Sequence, residues 1–203
     1  MDKKRLVESL KKRKISKEIL RAFSEVRRED FVPDDMKYLA YEDEALPIGK
    51  GQTISQPYTI ALMLSSLELK KGQKVLEVGS GCGYVLALLS KIVGENGRVF
   101  GVEIIHELAE KSRKNLKEYE NIKVHIGDGK VGIPEEAPFD EIIISAGYKE
   151  IPKLLIGQLK EKGIIVAPVG GRYGQSLISY KKINGKLQIQ KEIPGFIFVP
   201  LVD

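Results

Sequence analysis

Apolar positions return every three or four residues through the opening of the chain, at Leu6, Val7 and Leu10 and again at Ile15, Ile19, Phe23 and Val26. That period buries one stripe of a helix, so two short helices are predicted up to about Arg28, with Ser16 capping the second. Between residues 31 and 51 the pattern is broken by Pro33, Pro47 and two glycines and reads as an irregular lead-in. Regularity resumes at Pro57, whose fixed φ suits the first turn of a helix running to about Leu67.

From Lys74 the period changes. Short apolar runs at 75–78, 99–102, 124–126, 142–144 and 164–167 alternate with amphipathic stretches near 85–93, 107–119 and 152–160. Strand followed by helix, repeated, predicts an α/β fold with a doubly wound, mostly parallel sheet, whose strands are near-continuous Val, Leu and Ile because both faces are covered. After Ala167 the helix signals stop. The runs at 177–182 and 187–193 flank Asn184-Gly185, the dipeptide that tolerates the positive φ angles of a tight hairpin, so antiparallel C-terminal strands are expected. No linker rich in Gly, Ser or Pro divides the chain. One domain over 1–203 is expected, with 1–56 as a helical lead-in and covering segment and 57–203 as the α/β core.

Composition narrows the class. The 203 residues are 42% hydrophobic and 30% charged, and no apolar run approaches the roughly 20 residues a membrane-spanning helix needs. Charges interrupt the N-terminus every few positions, unlike a secretion signal, so the cytoplasm is the expected location. A single cysteine, Cys82, permits no internal disulfide and reads as a packing thiol. His106 and His125 stand far apart without nearby cysteine; no metal is expected and neither histidine is assigned a role. The net charge of +5 comes from 33 basic residues interleaved with 28 acidic ones. The one basic concentration, Lys3 to Arg5 with Lys11 to Lys14, lies opposite the apolar stripe of the first helix and reads as a solvated face in preference to an RNA-binding one.

The sharpest chemical signal is VLEVGSGCGY at 75–84, an apolar strand running straight into Gly79, Gly81 and Gly83 before a helix. Glycine permits the tight turn and lets backbone N–H groups face a ligand at a helix N-terminus, which points to something nucleotide-like. A dinucleotide fingerprint would place its third glycine at position 84, where Tyr84 stands. Glu77, just before the turn, suits a cationic amino-acid moiety better than a pyrophosphate. Glu103 ends the next strand, where a carboxylate can accept both ribose hydroxyls, and Asp128, between Gly127 and Gly129, can bond an adenine amino group or its own backbone turn.

The stretch ALPIGKGQTISQPYTIALM at 45–63 resembles the segment that sets protein-L-isoaspartate O-methyltransferases apart from other methyltransferases. The resemblance continues through IGDGKVGIPEEAPFDEIIISAG at 126–147, IPKLLIGQLKEKGIIVAPVG at 151–170 and FVPLVD at 198–203. It implies S-adenosylmethionine as methyl donor, S-adenosylhomocysteine as product, and isoaspartyl proteins and peptides as substrates; the lack of an exposed heptad or apolar surface stripe adds the expectation of a monomer, and composition and charge that of no nucleic-acid or membrane partner. Carried over residue by residue, it implies cofactor contacts from Thr53, Ile54, Glu77, Gly79, Ser80, Gly81, Gly83, Glu103, Asp128 and Gly129. Substrate contacts fall on Ser55, Gln56, Pro200, Leu201 and Val202, with Ser55 as the catalytic residue. Val202 stands where some relatives carry threonine. Two other readings compete: a methyltransferase acting on a small molecule or RNA, and a non-catalytic nucleotide-binding regulator, against which the three carboxylates Glu77, Glu103 and Asp128 argue.

Overall fold

The computed structural model describes residues 1–171 and 174–201. Helices α1 (Lys3–Lys12) and α2 (Lys17–Glu25) open the chain, each capped by the side chain just before it. Asp2 accepts from the Arg5 amide at 2.8 Å and Ser16 from the Ile19 amide at 3.5 Å, satisfying N–H groups that have no partner inside the helix. Leu6 and Leu10 are buried, as are Ile19, Ala22 and Phe23, so the N-terminal lysines form the outer face of a packed helix.

Two short 3-10 turns, at 28–30 and 34–39, lead into a small antiparallel hairpin of β1 (Leu46–Gly49) and β2 (Gln52–Ile54). Its turn places Lys50 and Gly51 at φ 55° and 71°. The hairpin corrects the irregular lead-in expected here: strands of four and three residues are too short to display a period. Helix α3 (Pro57–Ser65) then begins on its proline as expected.

The main sheet follows. Strands β3 (Lys74–Val78), β4 (Arg98–Glu103), β5 (Ile122–Ile126) and β6 (Phe139–Ile144) alternate with α4 (Tyr84–Val93) and α5 (His106–Asn115). Helix α6 (Lys153–Gln158) leads directly into β7 (Leu159–Gly171), and β8 (Gly174–Ile183) and β9 (Lys186–Phe196) complete the sheet. The order is β5-β4-β3-β6-β7-β8-β9, parallel from β5 to β7 and antiparallel from β7 to β9. The α/β, mostly parallel sheet with antiparallel C-terminal strands is thus the architecture the alternation implies. Asn184 and Gly185 make the β8–β9 turn at φ 50° and 74°.

Side chains of one strand enter two separate cores. Val75 and Ile143 join the cluster that holds Phe23, Tyr84 and Leu88, whereas Leu76, Val78, Ile142 and Ile144 join the one holding Phe100, Phe139 and Leu155. Burial on both faces explains the continuous apolar runs. Each fully buried aliphatic or aromatic side chain contributes on the order of 1.5–3 kcal/mol. From β3 the chain winds outward to β5 and then returns to β3's other side, so the sheet reverses direction at β3. A crevice therefore opens at the strands' carboxyl ends.

Candidate active site

Strand β3 ends at that crevice, and the chain turns into α4 through Gly79, Gly81 and Gly83 at φ 74°, 51° and 88°. The amides of the turn are not aimed at a ligand, as the sequence had suggested. Gly79 and Ser80 both donate to the Val102 carbonyl, at 2.9 and 3.2 Å, and Gly81 donates to Glu103 Oε2 at 2.8 Å. The loop is braced against β4, and the glycines serve mainly to leave space. A side chain on Gly79 would stand in the crevice with its nearest neighbour, Ala146, 3.6 Å away.

Gly83 has a different task. A Cβ there would lie 2.5 Å from Ser112 Oγ and 2.7 Å from a methyl of Leu116, so this glycine lets α4 pack against α5 and does not line the crevice.

The acidic groups differ sharply in environment. Glu77 is buried; its Oε1 accepts from the Ser145 hydroxyl at 2.7 Å, and its Oε2 has no partner among the described residues. Burial holds this carboxyl well above the usual range, against the lowering effect of the Ser145 bond, with Glu103 adding repulsion. Glu103 is also buried, yet both oxygens are engaged, one by Gly81 and the other by the Ile105 amide at 3.0 Å. Each carboxylate oxygen retains a second lone pair, so Glu103 is oriented by its backbone partners without being exhausted. Asp128 Oδ1 accepts from the Lys130 amide at 2.8 Å, the turn-forming use of this residue, and its side chain does not line the crevice.

The space itself is a chain of hollows. A narrow cleft is lined by Gly79, Gly81, Glu103, Gly129, Ser145 and Leu201 among others. A small inner hollow adjoins it and touches Ile54, Ser55, Glu77 and Ser80. A wider outer pocket opens beside both, bordered by Ser55, Gln56, Tyr148, Phe196, Phe198 and Pro200. Thr53 borders all three spaces, and Ser55 faces both the inner hollow and the outer pocket.

The cleft is covered from two sides. The β1–β2 hairpin supplies Ile48 and Thr53. The C-terminal segment supplies Pro200 and Leu201, tied down where the Gly147 amide donates to the Val199 carbonyl at 2.8 Å and the Leu201 amide to the Gly147 carbonyl at 3.2 Å. Gln175 holds the same segment by accepting from the Phe198 amide at 2.8 Å and donating to its carbonyl at 3.4 Å.

Most sequence-derived candidates therefore converge: Thr53, Ile54, Ser55, Gln56, Glu77, Gly79, Ser80, Gly81, Glu103, Gly129, Pro200 and Leu201 border connected spaces. Gly83 and Asp128 do not, and Val202 lies outside the described residues. Sequence reasoning missed Ser145 and Gln175. Ser145 was signalled by its position directly after an apolar strand, where open α/β sheets hold their ligands, whereas Gln175 gave no local sign.

Residues 1–203 match the family model described as protein-L-isoaspartate(D-aspartate) O-methyltransferase. The chain belongs to this family. It is 45% identical over 204 residues to the protein-L-isoaspartate O-methyltransferase of Methanothrix thermoacetophila, covering 100% of this chain and 95% of the relative. It is 46% identical over 190 residues to that of Ignicoccus hospitalis, covering 92% and 90%. Among solved structures, one named as a protein-L-isoaspartate O-methyltransferase superposes with TM-score 0.91 at 33% identity, over all of this chain and 66% of its own. A putative protein-L-isoaspartate O-methyltransferase from Plasmodium falciparum, in complex with S-adenosyl-L-homocysteine, gives 0.88 at 28% identity, covering 100% and 99%.

The residues of this methyltransferase suit the donor its family uses. Glu77 Oε2, buried and unpaired, calls for a cationic hydrogen-bond donor such as an amino-acid ammonium, because an unsatisfied buried acceptor carries its full desolvation cost. Gly79 keeps clear space that a side chain would fill, and Gly129 lets the main chain lie against Val78, where a Cβ would stand 2.5 Å from a methyl.

Proposed function

We propose that this chain is a protein repair methyltransferase that transfers a methyl group from S-adenosylmethionine to the free α-carboxylate of L-isoaspartyl residues in damaged proteins and peptides. One observation carries the reading beyond family membership: Thr53 and Ser55 join the covered cleft and inner hollow, where the acidic groups Glu103 and Glu77 stand, to a wider open pocket on the outer side. In it, Glu77 would hold the donor's ammonium, Glu103 its ribose hydroxyls and Gly79, Gly81 and Gly129 the close-approach surfaces. Thr53, Ile54 and Ser80 would complete that contact and Asp128 would read the adenine from the rim. When bound, the donor supplies an activated methyl on a sulfonium.

The substrate's α-carboxylate, with an ordinary pKa of about 3.5, is already ionised at neutral pH, so no general base is required. What the chain must supply is alignment of carboxylate oxygen, methyl and sulfur, a contribution that positioning alone raises to several kcal/mol. Ser55, at the junction of the two spaces, is the residue proposed to orient the carboxylate by donating its hydroxyl. Gln56, Pro200, Leu201 and Val202 are proposed to contact the peptide. The methyl ester then closes to a succinimide within the peptide itself, and hydrolysis returns part of it as normal aspartate.

The same reading takes the enzyme as a cytoplasmic monomer. Among the described residues no helix is long and apolar enough to cross a membrane. Transfer of labelled methyl from S-adenosylmethionine to a peptide containing isoaspartate, beside its normal aspartyl twin, tests the function. Labelling of the isoaspartyl peptide alone is expected, and equal labelling of both would remove the specificity.

A further inference from the structure

Arg28 is fully buried, and among the described residues its guanidinium forms no ion pair with a carboxylate. The two Nη groups donate to four main-chain carbonyls, while the buried Nε–H has no partner among the described residues. Nη1 donates to Ala40 at 2.8 Å and Glu42 at 3.3 Å; Nη2 donates to Glu44 at 3.1 Å and Ser55 at 3.0 Å. Its carbon lies 5.9 Å from the centre of the Tyr84 ring, the first residue of α4 beyond the glycine turn.

Removing a charge from water without an anion to meet it is costly, and a surface-type motif such as RRED would not demand it. The cost is met here by a planar fork of fixed donors, which a point-like ammonium cannot reproduce. Three of its acceptors lie in the loop at 40–44, and the fourth is Ser55 itself. That loop grips the same corner a second time, since Asp43 Oδ1 accepts from the Tyr58 amide in the first turn of α3 at 2.8 Å. The main chain on either side of Gln56 is thereby anchored, and Gln56 and Ser55 both face the outer pocket.

We infer that Arg28 is a positioning residue for methyl transfer: its guanidinium fixes the Ser55 main chain and so sets where Ser55 and Gln56 meet the substrate carboxylate. It touches neither donor nor substrate. The inference rests on the reading that Ser55 orients the carboxylate. The glycine turn is braced separately, by Val102 and Glu103, so donor affinity is expected to depend on Arg28 much less than turnover does.

The test is a double-mutant cycle on the full chain, with Arg28→Lys and Arg28→Gln each made alone and combined with Ser55→Ala. Two replacements at Arg28 are made so that one folded variant suffices. Initial rates on an isoaspartyl peptide give kcat and KM, calorimetry with S-adenosylhomocysteine gives donor affinity, and hydrogen exchange reports backbone order. Arg28→Lys is expected to lower kcat/KM about tenfold or more, the scale of a small misplacement of a reacting group, with donor affinity within about threefold of the parent. Faster exchange is expected at 40–44 and 55–58 and not at 79–83. In the Ser55→Ala background most of the Arg28→Lys loss is expected to vanish, because the group being positioned is gone.

A kcat/KM within twofold of the parent for the folded variants, or a loss of donor affinity equal to the loss of kcat/KM, overturns the inference. So does an Arg28→Lys loss of the same size in both Ser55 backgrounds. Unchanged turnover in Ser55→Ala alone strikes instead at the role of Ser55, which separates the two failures.

Discussion

Replacing Gly83 with alanine separates two uses of glycine in one turn. The residue sits at φ 88°, where an L side chain costs about 1–2 kcal/mol. Its new Cβ would also lie 2.5 Å from Ser112 Oγ and 2.7 Å from Leu116 Cδ1, in the last turn of α5 and just beyond it. Neither neighbour is the free end of a long flexible chain, and Ser112 is itself fully buried. Overpacking of this kind costs about 1–3 kcal/mol. The sum is about 2–5 kcal/mol, which at about 2–4 °C per kcal/mol for a domain of this size lowers the melting temperature by roughly 5–20 °C. Calorimetric melting measures the first quantity. Titration with S-adenosylhomocysteine, at a temperature where the variant is folded, measures the second, and affinity is expected to stay within about threefold because Gly83 does not border the cleft. Gly79→Ala provides the contrast: its φ of 74° carries the strain, its nearest neighbour is 3.6 Å away, and its methyl stands in the cleft, so affinity should fall more than stability. An unshifted melting temperature for Gly83→Ala together with lost affinity would refute the packing argument.

Three further outcomes are expected. Glu141 is buried in β6 with Oε2 unpartnered among the described residues, and burial pushes its carboxyl up to about 8, outweighing the hydrogen bond from the Glu68 backbone while Glu68 and Asp140 add repulsion. The folded protein keeps this proton where the unfolded chain releases it, so the stability involved is present below about pH 4.5 and is lost as the pH rises to about 8. That interval at about 1.4 kcal/mol per pH unit sets an upper figure on the order of 4–5 kcal/mol. Urea unfolding of Glu141→Gln should show a flatter decline between pH 5 and 8.5 than the parent, and parallel curves would remove Glu141 as the cause. Glu77→Gln keeps the shape and the Ser145 contact but loses the charge; donor affinity should fall about tenfold to a hundredfold, the value of a charge-assisted bond of about 1.5–3 kcal/mol. Apo stability should hold or rise, and parent-like affinity would dismiss Glu77 as the ammonium's partner. Ser55→Ala should lose turnover on the isoaspartyl peptide while keeping most donor affinity in calorimetry, and full turnover would take Ser55 out of the reaction.

Read along the chain, residues alone determined whatever depends on near neighbours. The double burial of β3, β4 and β6 shows as near-continuous apolar runs, the β8–β9 turn as Asn184-Gly185, the capped start of α2 as Ser16, and the crevice as glycines following an apolar strand. Strand ends were less legible. Burial stops before the hydrogen-bonded ladder does: β9 runs on to Phe196, past the run expected at 187–193, through residues that are not buried. Tertiary structure alone decided what a given side chain meets. Arg28 sits in a charged stretch that resembles solvated surface, and only the folded chain brings four carbonyls from residues 12 to 27 positions away around its guanidinium. Gly79 and Gly83 are the same residue in the same turn, yet one keeps a cleft open and the other keeps two helices close. Those distinctions are distances between segments remote in sequence, set by packing, and no local pattern encodes them.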